Sequence, residues 1–105
     1  MNLELKGKLA LVSGSTAGIG RAIATTLARE GAQVIINGRT KASVSDVVEN
    51  LRSITGGDIL GFAADLSVAA AAEQVIRDYP DIQILVNNLG IFEPKPFDEI
   101  RTQIG

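Results

Sequence analysis

A glycine-rich octapeptide at residues 13–20, Ser-Gly-Ser-Thr-Ala-Gly-Ile-Gly, limits the folds open to this chain more than any other stretch. A short apolar run precedes it, and apolar residues with helical spacing follow it. Glycine tolerates backbone angles and close approaches that a Cβ atom would forbid. The first turn of a helix offers unpaired N–H groups and the positive end of a dipole to an anion. The stretch therefore predicts a phosphate cradle, although a tight strand–helix turn kept for packing alone would need the same glycines.

Short apolar runs alternate with amphipathic stretches along the chain. The runs, which suit strands buried on both faces of a parallel sheet, span 9–12, 33–36, 59–64 and 82–87. The predicted helical stripes are Ile19, Ala22, Ile23 and Leu27; Val44, Val47, Val48, Leu51 and Ile54; and Val68, Ala71, Ala72, Val75 and Tyr79. Gly31 and Gly56 are placed to end the first two helices, Ser67 to cap the third, and Pro96 to start another. The alternation predicts an α/β fold, a doubly wound parallel sheet with right-handed crossovers.

Composition excludes several classes of function. The 105 residues contain no cysteine and no histidine, which excludes a disulfide framework, zinc ligation and a Ser-His-Asp triad within them. A net charge of −2 gives no reason to expect nucleic acid or an anionic membrane as a partner. No run approaches the roughly 18 apolar residues of a membrane-spanning helix. We expect one globular cytoplasmic domain without a metal site.

Small or polar residues follow each of the four predicted strands. These segments are the glycine-rich stretch, Asn37-Gly38-Arg39, Asp65-Leu66 and Asn87-Asn88-Leu89-Gly90. Ligands of doubly wound folds bind at the carboxyl ends of the strands. Because all four segments meet at that edge of the sheet, they favour a nucleotide-binding crevice.

The end of the second strand bears on the choice of cofactor. Enzymes that use NAD usually place an acidic residue there to bind the ribose 2′-hydroxyl. This chain has Gly38 at that place, followed by Arg39, whose guanidinium can bind a 2′-phosphate with two hydrogen bonds. A solvated arginine in a polar loop is the alternative. The missing acidic residue favours the 2′-phosphate.

Two further strand ends leave their alternatives open. Asp65 can accept a hydrogen bond from an adenine amino group, with Leu66 against the ring. Alternatively, it is simply an aspartate at the start of a helix, where the helix dipole favours a negative charge. Asn87 and Asn88 can bond their own backbone as turn residues or fix loop carbonyls around a ribose.

Taken together, these residues resemble the N-terminal half of the short-chain dehydrogenase/reductase family. Its Thr-Gly-x-x-x-Gly-x-Gly motif matches residues 13–20 with Ser13 in place of threonine, and its acidic adenine contact matches Asp65-Leu66. Its Asn-Asn-Ala-Gly motif matches residues 87–90 with Leu89 in place of alanine. The resemblance covers essentially the whole chain. It implies a Rossmann fold with strands in the order 3-2-1-4, and a carbonyl reductase or alcohol dehydrogenase that uses NADP(H).

The resemblance also implies which residues bind the cofactor. The pyrophosphate and its ribose would meet Gly14, Ser15, Thr16, Gly18, Ile19 and Gly20. The 2′-phosphate would meet Arg39, the adenine Asp65 and Leu66, and the nicotinamide ribose Asn88, Leu89 and Gly90.

The family's Tyr-x-x-x-Lys pair, whose tyrosine donates or accepts the proton, has no counterpart in these residues. We therefore assign no catalytic residue and expect residues 1–105 to be the cofactor-binding part of a single Rossmann domain, inactive alone. The complete form would act on a small carbonyl or alcohol substrate. A non-catalytic dinucleotide-binding module is the main alternative. A methyltransferase shares the architecture but usually has an acidic residue after the second strand, where this chain has Gly38 and Arg39. With only these strands present, the fourth would be an open edge, so we expect this piece to be marginally stable unless another chain covers that edge. We also expect a homo-oligomer.

Overall fold

A computed structural model of the chain describes residues 5–88. Its elements are β1 (Leu9–Val12), α1 (Gly18–Arg29), β2 (Gln33–Gly38), α2 (Lys41–Thr55), β3 (Ile59–Ala63), α3 (Ala69–Asp78) and β4 (Ile82–Val86). All four strands are parallel and lie in the order β3-β2-β1-β4. The doubly wound sheet and its strand order are thus confirmed. The predicted helix near Pro96 lies outside the described residues.

Strands β1 and β2 form the centre of the core because they carry apolar side chains on both faces. Val34 and Ile36 pack on one face of the sheet against α1 and α2, whereas Ile35 packs on the other with Leu11 and Val75 of α3. All five of these side chains are buried. Each buried side chain of this size contributes about 1.5–3 kcal/mol relative to exposure, so this double-sided pattern requires helices on both faces.

Helix α1 lies on the sheet through small residues. Gly20, Ala24 and Ala28 are its buried positions, at i, i+4 and i+8, and they let the helix axis approach the strands closely. The predicted stripe of α1 is therefore rotated: Ile19 is 54% exposed, and Ala22 is exposed too. The expectation that these two residues belong to the core was wrong.

Two of the other predicted apolar positions are also exposed. Ile54, at the end of the α2 stripe, is 51% exposed, because the buried part of that stripe ends at Leu51. Val68 is also 51% exposed, because it precedes α3 as its N-cap instead of lying within the helix. Half-exposed apolar residues at helix ends contribute little to the core.

Both predicted glycine stops are confirmed. Gly31 follows α1 with φ 93°, and the amide of Ala32 donates to the Leu27 carbonyl (3.1 Å), which is the Schellman arrangement. Gly56 follows α2 with φ 65°, and its amide donates to the Arg52 carbonyl at 2.9 Å. Left-handed angles cost glycine little, so each helix ends where glycine stands.

The helix starts differ from one another. Thr40 caps α2, because its Oγ1 accepts a hydrogen bond from the Ser43 amide at 3.2 Å. The predicted Ser67 cap of α3 was wrong. The Ser67 hydroxyl instead donates to Oδ1 of Asp65 at 2.6 Å, so a local turn uses the group that would have capped the helix.

Strand β4 is the least buried strand of the sheet. Its side chains alternate between half-buried and exposed, and Leu85 is 66% exposed. Among the described residues β4 pairs with β1 alone. A mostly apolar groove of about 430 Å³ lies between β4 and α3, with Val75 and Leu85 in its lining. None of the helices in residues 5–88 is long and apolar enough to cross a membrane.

Candidate functional site

The carboxyl ends of β1, β2 and β3 surround a cleft of about 300 Å³. Five of the residues predicted from the sequence line this cleft: Gly14, Thr16, Arg39, Asp65 and Leu66. The structure thus brings together strand ends that are up to about fifty residues apart in sequence. Ser15, Gly18, Ile19, Gly20 and Asn88 do not line the cleft, and Leu89 and Gly90 lie outside the described residues.

The glycines of the loop between β1 and α1 serve two different purposes. Gly14 and Gly18 have φ of 57° and 59°, in the left-handed region that favours glycine. Gly20 instead allows a close approach, since a Cβ built on it would lie 2.4 Å from the Gly14 carbonyl oxygen and 2.7 Å from Nδ2 of Asn88. The loop is folded tightly against the start of its own helix.

The N-terminus of α1 is free of side-chain caps. Its N-cap residue, Ala17, has no side chain that accepts hydrogen bonds, and the first turn contains no acidic residue. Within residues 5–88, the first N–H groups of this twelve-residue helix therefore have no side-chain acceptor, and no carboxylate in its first turn offsets its dipole. Helix α2 differs in this respect because Thr40 caps it. The glycine loop and α1 together can accept an anion.

Residues at the end of β4 hold the glycine-rich loop in place. The amide of Asn88 donates to Ser13 Oγ at 2.8 Å, and its Nδ2 donates to the Gly14 carbonyl at 3.1 Å. The Ser13 hydroxyl also lies 3.3 Å from Oδ1 of Asn87 as a donor. Of the two interpretations of the paired asparagines, the structure thus shows the fixing of a loop carbonyl. Oδ1 of Asn88 is buried and has no hydrogen-bond partner among the residues described.

Asn37 is a structural residue of the site whose role was not predicted from the sequence. It belongs to β2, which runs two residues further than predicted, and only 1% of its surface is exposed. Its Oδ1 accepts from the Gly14 amide (3.0 Å), and its Nδ2 donates to the Phe62 and Ala64 carbonyls (2.9 and 3.0 Å). The signal available in the sequence was one asparagine ending a run of valine and isoleucine.

Ser15 joins the same network from the glycine-rich loop. It is fully buried; its hydroxyl accepts from the Asn37 amide at 2.8 Å, and its own amide donates to the Asn37 carbonyl at 2.8 Å. The Ser15 side chain thus joins the loop to the end of β2.

The end of β2 leaves little space for a side chain at Gly38 unless the Thr16 side chain moves. A Cβ there would lie 2.5 Å from Cγ2 of Thr16 and 3.2 Å from Cγ2 of Val44. The next residue, Arg39, is exposed and stands immediately before the Thr40 cap of α2. The cleft therefore has an exposed guanidinium beside a position, Gly38, where a larger side chain would have to displace Thr16.

Asp65 is held in a turn after β3. Its Oδ1 accepts from the Ser67 hydroxyl at 2.6 Å and from the Ser67 amide at 3.0 Å. These hydrogen bonds, with a smaller Coulombic contribution from Arg39, hold the pKa of the Asp65 carboxyl below its ordinary value. The carboxylate is therefore ionised at neutral pH and can still accept a hydrogen bond through its other oxygen. Leu66 is half-buried and also packs against the core beneath α3.

Comparison with known proteins extends this picture. The sequence pattern of the short chain dehydrogenase family matches residues 8–104. A protein of Bacillus subtilis (strain 168) described as uncharacterized oxidoreductase YvaG is 48% identical over 101 residues, which cover 95% of this chain and 38% of that protein. The solved structure of L-sorbose reductase from Gluconobacter frateurii with NADPH and L-sorbose superposes with a TM-score of 0.77 at 31% identity. It covers 94% of this chain, which spans 39% of that one.

A second solved structure, the Pseudomonas aeruginosa RhlG/NADP active-site complex, superposes with a TM-score of 0.71 at 38% identity. The match covers 80% of this chain and 35% of that one. The chain thus spans less than half the length of the relatives that it matches. These findings, with the strand order and the glycine motif, show that the chain belongs to the short-chain dehydrogenase family, whose members are oxidoreductases.

Proposed function

We propose that the complete protein is an NADP(H)-dependent oxidoreductase that interconverts a small carbonyl compound and its alcohol. Residues 1–105 supply the cofactor-binding part of a single Rossmann domain. The observation that carries the proposal is the exposed guanidinium of Arg39 in a cleft that meets the glycine-rich loop and the Asp65 turn. Two structurally similar proteins are described as complexes with NADPH or NADP.

The pyrophosphate end of the cofactor is assigned to the glycine-rich loop and to the first turn of α1. The assigned residues are Gly14, Ser15, Thr16, Gly18, Ile19 and Gly20. Support comes from the uncapped helix N-terminus and from the left-handed Gly14 and Gly18, which turn the chain without side chains in the way. Ser15 would act indirectly by holding the loop, because its side chain is buried and its hydroxyl and amide both bond Asn37.

The 2′-phosphate is assigned to Arg39. A guanidinium can donate two parallel hydrogen bonds to phosphate oxygens. At the neighbouring Gly38, an acidic side chain for a ribose 2′-hydroxyl would have to displace the Thr16 methyl. The two features act in the same direction. Arg39 attracts the 2′-phosphate of NADP(H), and the crowding at Gly38 disfavours the acidic side chain that would bind the 2′-hydroxyl of NAD(H).

The adenine is assigned to Asp65 and Leu66, and the nicotinamide ribose to Asn88, Leu89 and Gly90. The second oxygen of the Asp65 carboxylate can accept from an exocyclic amine, and Leu66 offers an apolar contact in the same cleft. The buried Oδ1 of Asn88, which has no partner within residues 5–88, is an acceptor that a ribose hydroxyl could satisfy. These assignments agree with the chemistry of the groups that they would meet.

A bound nicotinamide supplies or accepts the hydride in this chemistry. The residues of this chain bind and orient the cofactor, and the proton-transfer group is expected elsewhere in the complete protein. We further propose a cytoplasmic protein that forms homo-oligomers. A Tyr-x-x-x-Lys sequence after these residues in the coding sequence would favour the enzyme over a non-catalytic dinucleotide-binding module.

The test is the affinity of the complete natural protein for NADPH and NADH, measured by the change in cofactor fluorescence. We expect NADPH to bind at least tenfold more tightly than NADH. Arg39→Ala should remove most of that preference and leave NADH unchanged, because a hydrogen bond to a charged group contributes about 1.5–3 kcal/mol. Arg29→Ala, at an exposed arginine in the last turn of α1, is the matched control. Equal affinities for the two cofactors would contradict the NADP(H) assignment, and binding of neither would contradict the proposed function.

A further inference from the structure

Asn37 lies where three segments of the cleft meet. Its side chain reaches the glycine-rich loop through the Gly14 amide, strand β3 through the Phe62 carbonyl, and the residue after β3 through the Ala64 carbonyl. All three hydrogen bonds are 2.9–3.0 Å long, and the residue is 99% buried. The contacted backbone groups are 23, 25 and 27 residues away in sequence. No local turn requires these contacts.

The chemistry of these partners selects asparagine. The site presents one N–H donor and two carbonyl acceptors, and an asparagine amide offers one oxygen and two N–H groups at matching positions. An aspartate of the same size would keep the acceptor but lose both donors, and its charge would face two carbonyl oxygens. A leucine would leave all three backbone groups without this partner. Buried groups that lose their partners bear the full desolvation penalty.

We propose that Asn37 is a positioning residue for the cofactor, setting the distance between the glycine-rich loop and the Asp65–Leu66 turn. This inference rests on the proposed function, in which the loop binds the pyrophosphate and the turn binds the adenine. A single dinucleotide must contact both segments at once. A side chain that bonds both segments fixes their separation before the ligand arrives. The two segments then lose little conformational freedom on binding, and the affinity is higher for that reason.

Ser15 strengthens this arrangement from the backbone side. The Asn37 main chain exchanges hydrogen bonds with the Ser15 hydroxyl and amide, both at 2.8 Å. The loop is thereby attached to residue 37 at two successive positions, Gly14 and Ser15. Replacing Asn37 by aspartate will release the Phe62 and Ala64 carbonyls, while the oxygen that accepts from Gly14 and the backbone attachment at Ser15 remain. The substitution should therefore displace the two cofactor-binding segments in a protein that still folds.

The test compares Asn37→Asp with Asn50→Asp in the complete natural protein. Asn50 is an exposed residue of α2, so the control makes the same chemical change outside the network. We expect N37D to weaken NADP+ binding, measured by titration calorimetry, by roughly tenfold to a hundredfold, the range for a lost buried hydrogen-bond partner. N50D should bind as the unmutated protein does. In turnover assays, N37D should raise the KM for NADPH while kcat at saturation changes less than threefold.

A purely structural role would give a different result. Leu51→Ala, which empties a fully buried core position, lowers stability but should leave the NADP+ affinity of the folded protein unchanged. Unchanged NADP+ affinity in N37D overturns the positioning role and leaves the proposed function intact. Absence of NADP+ binding by the unmutated protein overturns both. If circular dichroism shows N37D to be unfolded, Asn37→Ser replaces it under the same criteria.

Discussion

Replacing Gly20 by alanine should damage ligand binding far more than stability. A Cβ at this position would lie 2.4 Å from the Gly14 carbonyl oxygen, whereas real Cβ contacts do not fall below 3.0 Å. The oxygen belongs to the backbone, so the glycine-rich loop itself must retreat by roughly 0.6 Å, a shift of the size that core overpacking forces on a backbone. The same Cβ would meet Nδ2 of Asn88 at 2.7 Å and push on the hydrogen bond that holds the loop.

Two opposing terms set the size of the stability change. Overpacking costs about 1–3 kcal/mol, but Gly20 lies within α1, where alanine is favoured over glycine by about 1 kcal/mol. The net loss of unfolding free energy should therefore be about 0–2 kcal/mol. The affinity for NADP+ should fall by roughly tenfold or more, since ligand donors must stay within narrow hydrogen-bonding distances.

Chemical denaturation and calorimetric titration of the same preparations measure the two effects. Gly56→Ala is the control: its φ of 65° strains alanine, but nothing lies within 4 Å of the new Cβ and the residue is at the far end of α2. This variant should lose about 1–2 kcal/mol of stability and keep its affinity. If Gly20→Ala bound NADP+ as tightly as the unmutated protein, the close approach of loop and helix would have no role in the site.

Two further predictions concern the acid range and the core. Ser67→Ala should raise the pKa of Asp65 toward its ordinary value, measured by NMR titration of the carboxyl. Because the folded-state pKa is depressed, the ionised carboxylate stabilises the fold above the unfolded-state pKa, and this stabilisation is lost as pH falls through the folded-state pKa. The stabilisation should be smaller in the variant. An unchanged Asp65 pKa would contradict this. Leu51→Ala should lower the free energy of unfolding by about 2–5 kcal/mol in chemical denaturation. Ile54→Ala, at a half-exposed position of the same helix, should change it by no more than about 0.5 kcal/mol. Equal losses would show that the α2 stripe is buried to its end.

The parts of the fold that follow from periodicity could be predicted from the sequence. Alternating apolar runs and helical stripes identify the strands and helices, and right-handed crossovers leave few topologies for them. The glycine stops at Gly31 and Gly56 follow equally well, because a left-handed angle is a local requirement. The face of α1 does not follow, because hydrophobicity alone favours Ile19 over Ala24. The structure selects the small residue, since close approach to the sheet outweighs side-chain size there.

The polar network of the site was predicted only in part. Five assigned residues line the cleft, because the carboxyl ends of parallel strands must share an edge. The Ser67 cap failed because a neighbouring carboxylate, Asp65, competes for the hydroxyl. The role of Asn37 depends on carbonyl groups of β3 and of the residue after it, and no local pattern indicates which strand end faces which. Contacts of this kind become visible only after the strands are placed.

The attachments of Gly14 also give the site an order of assembly during synthesis. A growing polypeptide leaves the ribosome from its N-terminus and begins to fold as it emerges. The Gly14 amide can find its acceptor once Asn37 has been made, 23 residues later, but its carbonyl must wait for Asn88, 74 residues later. A nascent chain stalled before β4 would therefore display the glycine-rich loop with one of these two attachments missing. The cradle is therefore completed only when Asn88 has been added, long after its own residues have been made.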